Sequence, residues 1–151
     1  MTHHISYNDI KVGDAMPTYT SQPITRTHIV KYAGASGDFN PLHHDETFTK
    51  MFGMPGVISH GMLIMGITGE AITQWISNKY LRKFNVRFAG MTEPMDLHDA
   101  EKTKARATLT VTGKVTEKFE EAGEKRIKCD ITVADAQGAV KITGSFTAAL
   151  P

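Results

Sequence analysis

The chain has 151 residues, with 17 Lys and Arg against 16 Asp and Glu, 40% apolar and 22% charged residues, and one cysteine. That length suits one domain, residues 1–151, with a core of useful size. The balanced charge argues against a nucleic-acid partner, and the lone Cys129 excludes an internal disulfide, which fits a reduced, cytoplasmic setting.

The first residues, MTHHISYNDI, lack the basic-then-apolar pattern of a signal peptide, and His3 and His4 are too few to mark a purification tag. NDIKVGDAMP is an entry loop that leads to a short strand around residues 18–22. Thr25 is placed to cap a helix that runs to about Gly34, with Ile29, Val30 and Ala33 on one face. The stretch SGDFNPLHHD comes next, from Ser36 to Asp45. Asp45 then caps a short helix, Glu46 to Phe52, which Gly53 stops.

From His60 to Ile76 the spacing of Met62, Met65, Ile72, Trp75 and Ile76 predicts one long helix, greasy on most sides and therefore buried. Gly61, Gly66, Gly69, Glu70 and Gln74 interrupt it too often for a membrane span. Gly66 and Gly69 each cost roughly 1 kcal/mol relative to alanine, so something is expected to pack close there, sheet backbone or a substrate chain.

Beyond it the period changes to two. Leu81 to Phe88 is a strand. Ala105, Leu109, Val111 and Val115 alternate with polar residues, as do Ile127, Cys129, Ile131 and Val133, then Val140, Ile142, Phe146 and Ala148. The turns Glu120 to Gly123 and Asp135 to Gly138 make these strands an antiparallel meander. The charge clusters at Asp99 to Arg106 and Glu117 to Lys128 read as solvated strand ends and a hairpin. A greasy helix and a sheet with one dry face predict an α+β fold in which the sheet wraps the helix.

Chemistry concentrates in SGDFNPLHHD. Pro41 fixes its own φ and pushes Asn40 out of the helical region, so the loop is stiff, and Asn40 can brace it. Such a loop can aim the Asp38 carboxylate and the His43 imidazole at one water, and general acid–base help of that kind is worth roughly 10²–10⁴-fold. Turn formation by Asp38 and packing by His43 explain the same residues equally well on spacing alone. His43, His44 and Asp45 are adjacent, so their side chains diverge, and no metal site is expected. Further on, SHGML (Ser59 to Leu63) places Gly61 where a helix exposes unpaired N–H groups, an oxyanion-type site for a thioester. Tight packing explains that glycine too. Ser59 and His60 are supporting residues, with His60 a hydrogen-bonded scaffold rather than a catalyst. The many methionines are core filling or a pliable acyl pocket.

YAGASGDFNPLHHD followed by VISHGMLIMGITGEAITQW resembles the MaoC-like hydratase/dehydratase family, within it (R)-specific enoyl-CoA hydratases and (3R)-hydroxyacyl-ACP dehydratase catalytic subunits. The resemblance implies a hot-dog fold, a long central helix wrapped by an antiparallel sheet, and a homodimer or a heterodimer with a related subunit. It implies that Asp38 and His43 hold the catalytic water, that Asn40 and Pro41 shape the loop, and that the Gly61 amide faces the thioester carbonyl. The implied reaction is reversible addition of water to a trans-2-enoyl thioester of CoA or acyl carrier protein, without a metal or redox cofactor. Some relatives carry a serine further along the helix, where this chain has Gly66, Thr68 and Gly69, and many have a glycine where it has Met95. A non-catalytic acyl-thioester-binding subunit and a thioesterase of the same fold are the alternatives.

Overall fold

Three long strands arise from the alternating second half of the chain: β3 (Leu109–Glu121), β4 (Glu124–Asp135) and β5 (Val140–Ala149). The computed structural model describes residues 5–151, and His3 and His4 lie outside them. Glu121 pairs with Glu124, so Ala122 and Gly123 alone make the first hairpin turn, both at positive φ (52° and 75°). The second turn is held by Asp135, whose Oδ1 accepts from the amides of Gln137 and Ala139, each at 2.9 Å, while Oδ2 faces Lys141 Nζ at 3.2 Å.

β1 (Tyr19–Thr20) and β2 (Leu81–Phe88) complete an antiparallel sheet in the order β1-β3-β4-β5-β2. β2 pairs with β5 from Leu81↔Ala148 to Phe88↔Ile142. Gly144 is needed there, because a Cβ would lie 2.2 Å from the Asn85 carbonyl oxygen.

The dry face carries Leu109, Val111, Val115, Ile127, Cys129, Ile131, Val133, Ile142 and Phe146, all at most 2% exposed. Against it packs α3 (Gly61–Trp75) through Ile64, Thr68, Ala71 and Ile72. This is the predicted hot-dog arrangement. Each large aliphatic buried in such a core contributes about 1.5–3 kcal/mol. Burial pushes the Cys129 thiol up to about 12, with Asp130 adding to the effect.

α1 (Arg26–Ser36) starts at Thr25, whose hydroxyl accepts from His28 N while His28 Nδ1 accepts from Thr25 N. It runs two residues beyond Gly34 and stops at Gly37, at φ 73°. Ile29 and Ala33 are buried, but Val30 is 66% exposed, so it does not share their face. α2 (Glu46–Met51) is capped by the Asp45 carboxylate, as expected.

Other expectations are corrected. The charged run before β3 is a helix, α4 (Ala100–Ala107), not a strand end. Its AEKTKARA composition favours helix, and Thr103 fastens it by accepting from Asp96 N and donating to Asp99 O. The strand alternation therefore begins at Leu109, not Ala105. Sheet backbone does not pack against Gly66 or Gly69: among the described residues nothing outside α3's own backbone lies within 4 Å of a Cβ placed on Gly66, and at Gly69 only the Phe84 ring comes within 3.8 Å. α3 is thus buried along one stripe, and Met62 is 55% exposed.

Candidate active site

Gly37 turns the chain sharply after α1 and delivers Asp38 to the surface of the sheet–helix sandwich. Two nested turns then stiffen the loop. Asp38 Oδ1 accepts from Asn40 N at 3.2 Å, and Asn40 Oδ1 accepts from Leu42 N at 3.1 Å. Pro41 opens a single 3-10 turn ending at His43. Asn40 and Pro41 thus stand at the centre of these turns.

A short backbone link ties the loop to the segment entering α3. Ile58 N donates to Leu42 O at 3.0 Å, and His43 Nδ1 lies 2.8 Å from Ile58 O. A carbonyl only accepts, so Nδ1 carries the proton and the lone pair of neutral His43 sits on Nε2. That atom faces Asp38 Oδ2 at 3.8 Å. The gap is too long for a direct hydrogen bond, but it has the width that a water about 2.8 Å from each atom would span. His43 is nearly buried, at 10% side-chain exposure, whereas Asp38 is half open, at 52%.

His60 completes the cluster. Its Nε2 lies 3.0 Å from the backbone carbonyl of Asp38, so it donates there. Its ring stacks on that of His43, centroids 3.7 Å apart and planes 23° apart, and the Tyr32 ring tilts against it with centroids 4.8 Å apart. His60 is 2% exposed.

Asp38, His43 and His60 each bring a ligand-type atom within 4.8 Å of the others, a grouping that the spacing did not foresee. A coordinated ion lies in the plane of each imidazole, about 2.0–2.1 Å from nitrogen. Planes stacked 3.7 Å apart at 23° do not meet at that distance. His60 Nε2 is also committed as a donor to the Asp38 backbone carbonyl, while its buried Nδ1 has no partner among the described residues.

Gly61 opens α3, where the first amides have no partner within the helix. The space of its missing side chain is not empty: a Cβ would lie 3.0 Å from Phe88 Cε1. The Phe88 ring thus accounts for a residue without a side chain at this position. Ser59, two residues before it, donates its amide to Thr92 O at 2.8 Å, and the hydroxyls of both residues are buried without a partner.

Two cavities are lined by neighbours of the cluster, though by none of Asp38, His43 and His60 themselves. One, of about 490 Å³, is lined by Tyr19, Ile24, Tyr32, Leu63, Ile67 and Glu70, among others. Burial and the Glu70 carboxylate push the Tyr19 hydroxyl above its ordinary range. The other, of about 180 Å³, is lined by Ser59, Gly61, Phe88 and Thr92, among others. Sequence reasoning missed Tyr32, Phe88 and Thr92. Tyr32 stood on the capped helix with no chemical marker, and Thr92 is 33 residues from Ser59 with no motif to join them.

Comparison with known proteins agrees with this fold. Residues 9–128 match the family described as MaoC like domain. The chain is 38% identical over 68 residues to the 3-hydroxyacyl-thioester dehydratase X of Mycobacterium tuberculosis, covering 44% of this chain and 23% of that protein. It spans only 6% of the fatty acid synthase beta subunit pkiC of Emericella nidulans, to which 75% of this chain is similar at 30% identity. The structure of the R-hydratase PhaJ1 from Pseudomonas aeruginosa superposes with a TM-score of 0.77 at 24% identity, over 98% of this chain and 86% of that one. With its fold, its loop and this match in hand, the chain belongs to the MaoC-like hydratase/dehydratase family.

Proposed function

We propose that this protein reversibly adds water to trans-2-enoyl thioesters, giving (R)-3-hydroxyacyl thioesters. The observation that carries the reading is the approach of Asp38 Oδ2 to His43 Nε2 at 3.8 Å, with the imidazole proton fixed on the opposite nitrogen. His43 Nε2 takes a proton from the bridging water while Asp38 holds its second hydrogen. The water oxygen bonds to the β-carbon, the pair returns a proton to the α-carbon, and the Gly61 amide steadies the enolate oxygen. The thioester itself acidifies the α-carbon, so the scheme needs no metal or redox group.

The acyl chain would lie in the cavity beside Tyr32. Polar members such as Tyr19, His28, Lys31 and Glu70 sit with Ile24, Leu63 and Ile67, which suits a short or polar-ended chain over a long plain one. Two copies of the chain would form the working unit. Supporting this, β2 stands at one edge of the sheet, Gly66 looks into open space, and Met62 is exposed on the same helix. No helix among the described residues is long and apolar enough to cross a membrane. A cytoplasmic setting belongs to the same reading, since the one cysteine can form no internal disulfide.

The test is the purified protein alone with crotonyl-CoA. Loss of the conjugated enoyl absorbance, with formation of the (R)-3-hydroxy product and no free thiol, supports the reading. Thiol release without hydration points to a thioesterase, and binding without turnover to an acyl-thioester-binding subunit. Light scattering on the same sample gives the mass of the assembly.

A further inference from the structure

The cavity proposed for the acyl chain has a neighbour further along α3. Leu63, Ile67 and Glu70 line the first, of about 490 Å³, and Ala71, Gln74 and Trp75 line the second, of about 370 Å³. On a helix these positions fall at i, i+4, i+7, i+8, i+11 and i+12, so they form one stripe. The two cavities therefore follow one another down the same face of α3. With Ile5 and Pro17 added to Ala71 and Trp75, the walls of the second are largely apolar.

Among the described residues, Tyr19 alone lines both cavities. It stands opposite Val111 in the register of β1 with β3, and Val111 is fully buried on the dry face. Residues directly opposite in an antiparallel pair share a face, so the Tyr19 ring points from the sheet toward α3. The Glu70 carboxylate acts on the Tyr19 hydroxyl, which brings the tip of the ring to the place where the first set of helix residues gives way to the second. β1 is only two residues long and pairs with β3 alone, at one edge of the sheet.

Resting on the hydratase reading, we infer that the Tyr19 ring is the partition between the two cavities and sets the longest acyl chain that the protein accepts. It is a specificity residue rather than a catalytic one. With the thioester carbonyl at Gly61, the level of Glu70 lies nine residues along α3, about 13.5 Å of helix axis. A crotonyl chain ends well short of that level. An extended fourteen-carbon chain passes it and meets the ring. Removing the ring joins the cavities, and each methylene that then leaves water adds to binding.

The experiment measures kcat/KM on trans-2-tetradecenoyl-CoA and on crotonyl-CoA and reads the ratio of long to short. Tyr19→Ala should raise that ratio about tenfold or more. Tyr19→Phe, which keeps the ring, should keep the parent's ratio. Tyr19→Val, whose β-branched side chain suits a strand, repeats the test if Tyr19→Ala does not fold. Adding Gln74→Phe, which fills the second cavity, should cancel the gain. An unchanged ratio in Tyr19→Ala and Tyr19→Val overturns the assignment. So does an equal rise in Tyr19→Phe, or a gain that survives Gln74→Phe.

Calorimetric titration with butyryl-CoA and tetradecanoyl-CoA, which have no double bond to hydrate, reads the partition without turnover. If Tyr19→Ala gains more affinity for tetradecanoyl-CoA than for butyryl-CoA, the partition stands even where the parent proves inactive as a hydratase. The same change for both ligands, or binding of neither, refutes it. A parent that already binds the long chain as tightly as Tyr19→Ala does refutes it too.

Discussion

The ring of His60 stacks face to face on the ring of His43, 3.7 Å between centroids, while its Nε2 holds the main-chain carbonyl of Asp38 at 3.0 Å. One buried side chain thus touches both halves of the proposed acid–base pair. His60→Gln removes the stack and disturbs the donor to Asp38 O. We expect kcat on crotonyl-CoA to fall by about 10–100-fold with KM changed less than about threefold, the pattern of lost positioning rather than lost binding. His60→Ala should add a measurable fall in thermal midpoint, because it also leaves a cavity.

Asp38 and His43 themselves should be far less forgiving. Asp38→Asn and His43→Gln are each expected to reduce kcat/KM by about 10²–10⁴-fold. Circular dichroism and the thermal midpoint should stay near those of the parent for Asp38→Asn, whose side chain is half exposed. Parent-like rates in both variants would remove the basis for the mechanism.

Gly61 is a place where packing and chemistry can be separated. In Gly61→Ala the new methyl group meets the Phe88 ring at about 3.0 Å, so the ring must move. Phe88 is 49% exposed and can give way, which limits the stability loss to about 1–3 kcal/mol. Adding Phe88→Ala should return the stability of Gly61→Ala but not its activity, if the amide serves the thioester. Recovery of both would make the glycine a packing residue only. Urea unfolding and initial rates on the four proteins decide it.

Acid should weaken the second hairpin turn through Asp135. Burial tends to raise the pKa of this carboxyl, but the Ala139 amide and the Lys141 ammonium outweigh it and hold the group below its ordinary range. A depressed folded pKa gives stability that is present above the unfolded value, about 3.9, and is lost as pH falls through the folded value. Asp135→Asn should cost about 1–3 kcal/mol at neutral pH and flatten the stability profile below about pH 4. An unchanged acid limb in the variant would show that the turn does not report this group.

Local chemistry was readable in the sequence wherever a residue acts on its near neighbours. Thr25 and Asp45 cap the helices they precede, and Gly123 and Gly138 stand in the turns between the last three strands. The loop bonds of Asp38 and Asn40 belong to the same class. The features that escaped depend on contacts made far along the chain. Ala105 falls in phase with Leu109 by coincidence, so a helix-forming run was read as strand. Val30 has helical spacing to Ile29 and Ala33 yet points to solvent. The His43–His60 stack and the Ser59–Thr92 bond join segments whose sequences carry no mark of each other.

The Ile58 carbonyl that sets the proton of His43 belongs to the residue whose amide bonds Leu42, three places ahead of Gly61. These two rungs rivet the loop that carries His43 to the lip of α3. The two segments cannot drift apart without snapping both rungs, so the proposed reacting centre rests on one stiff plate. Any widening for a bulkier guest must then come from the far wall, where the half-exposed Phe88 ring is free to swing.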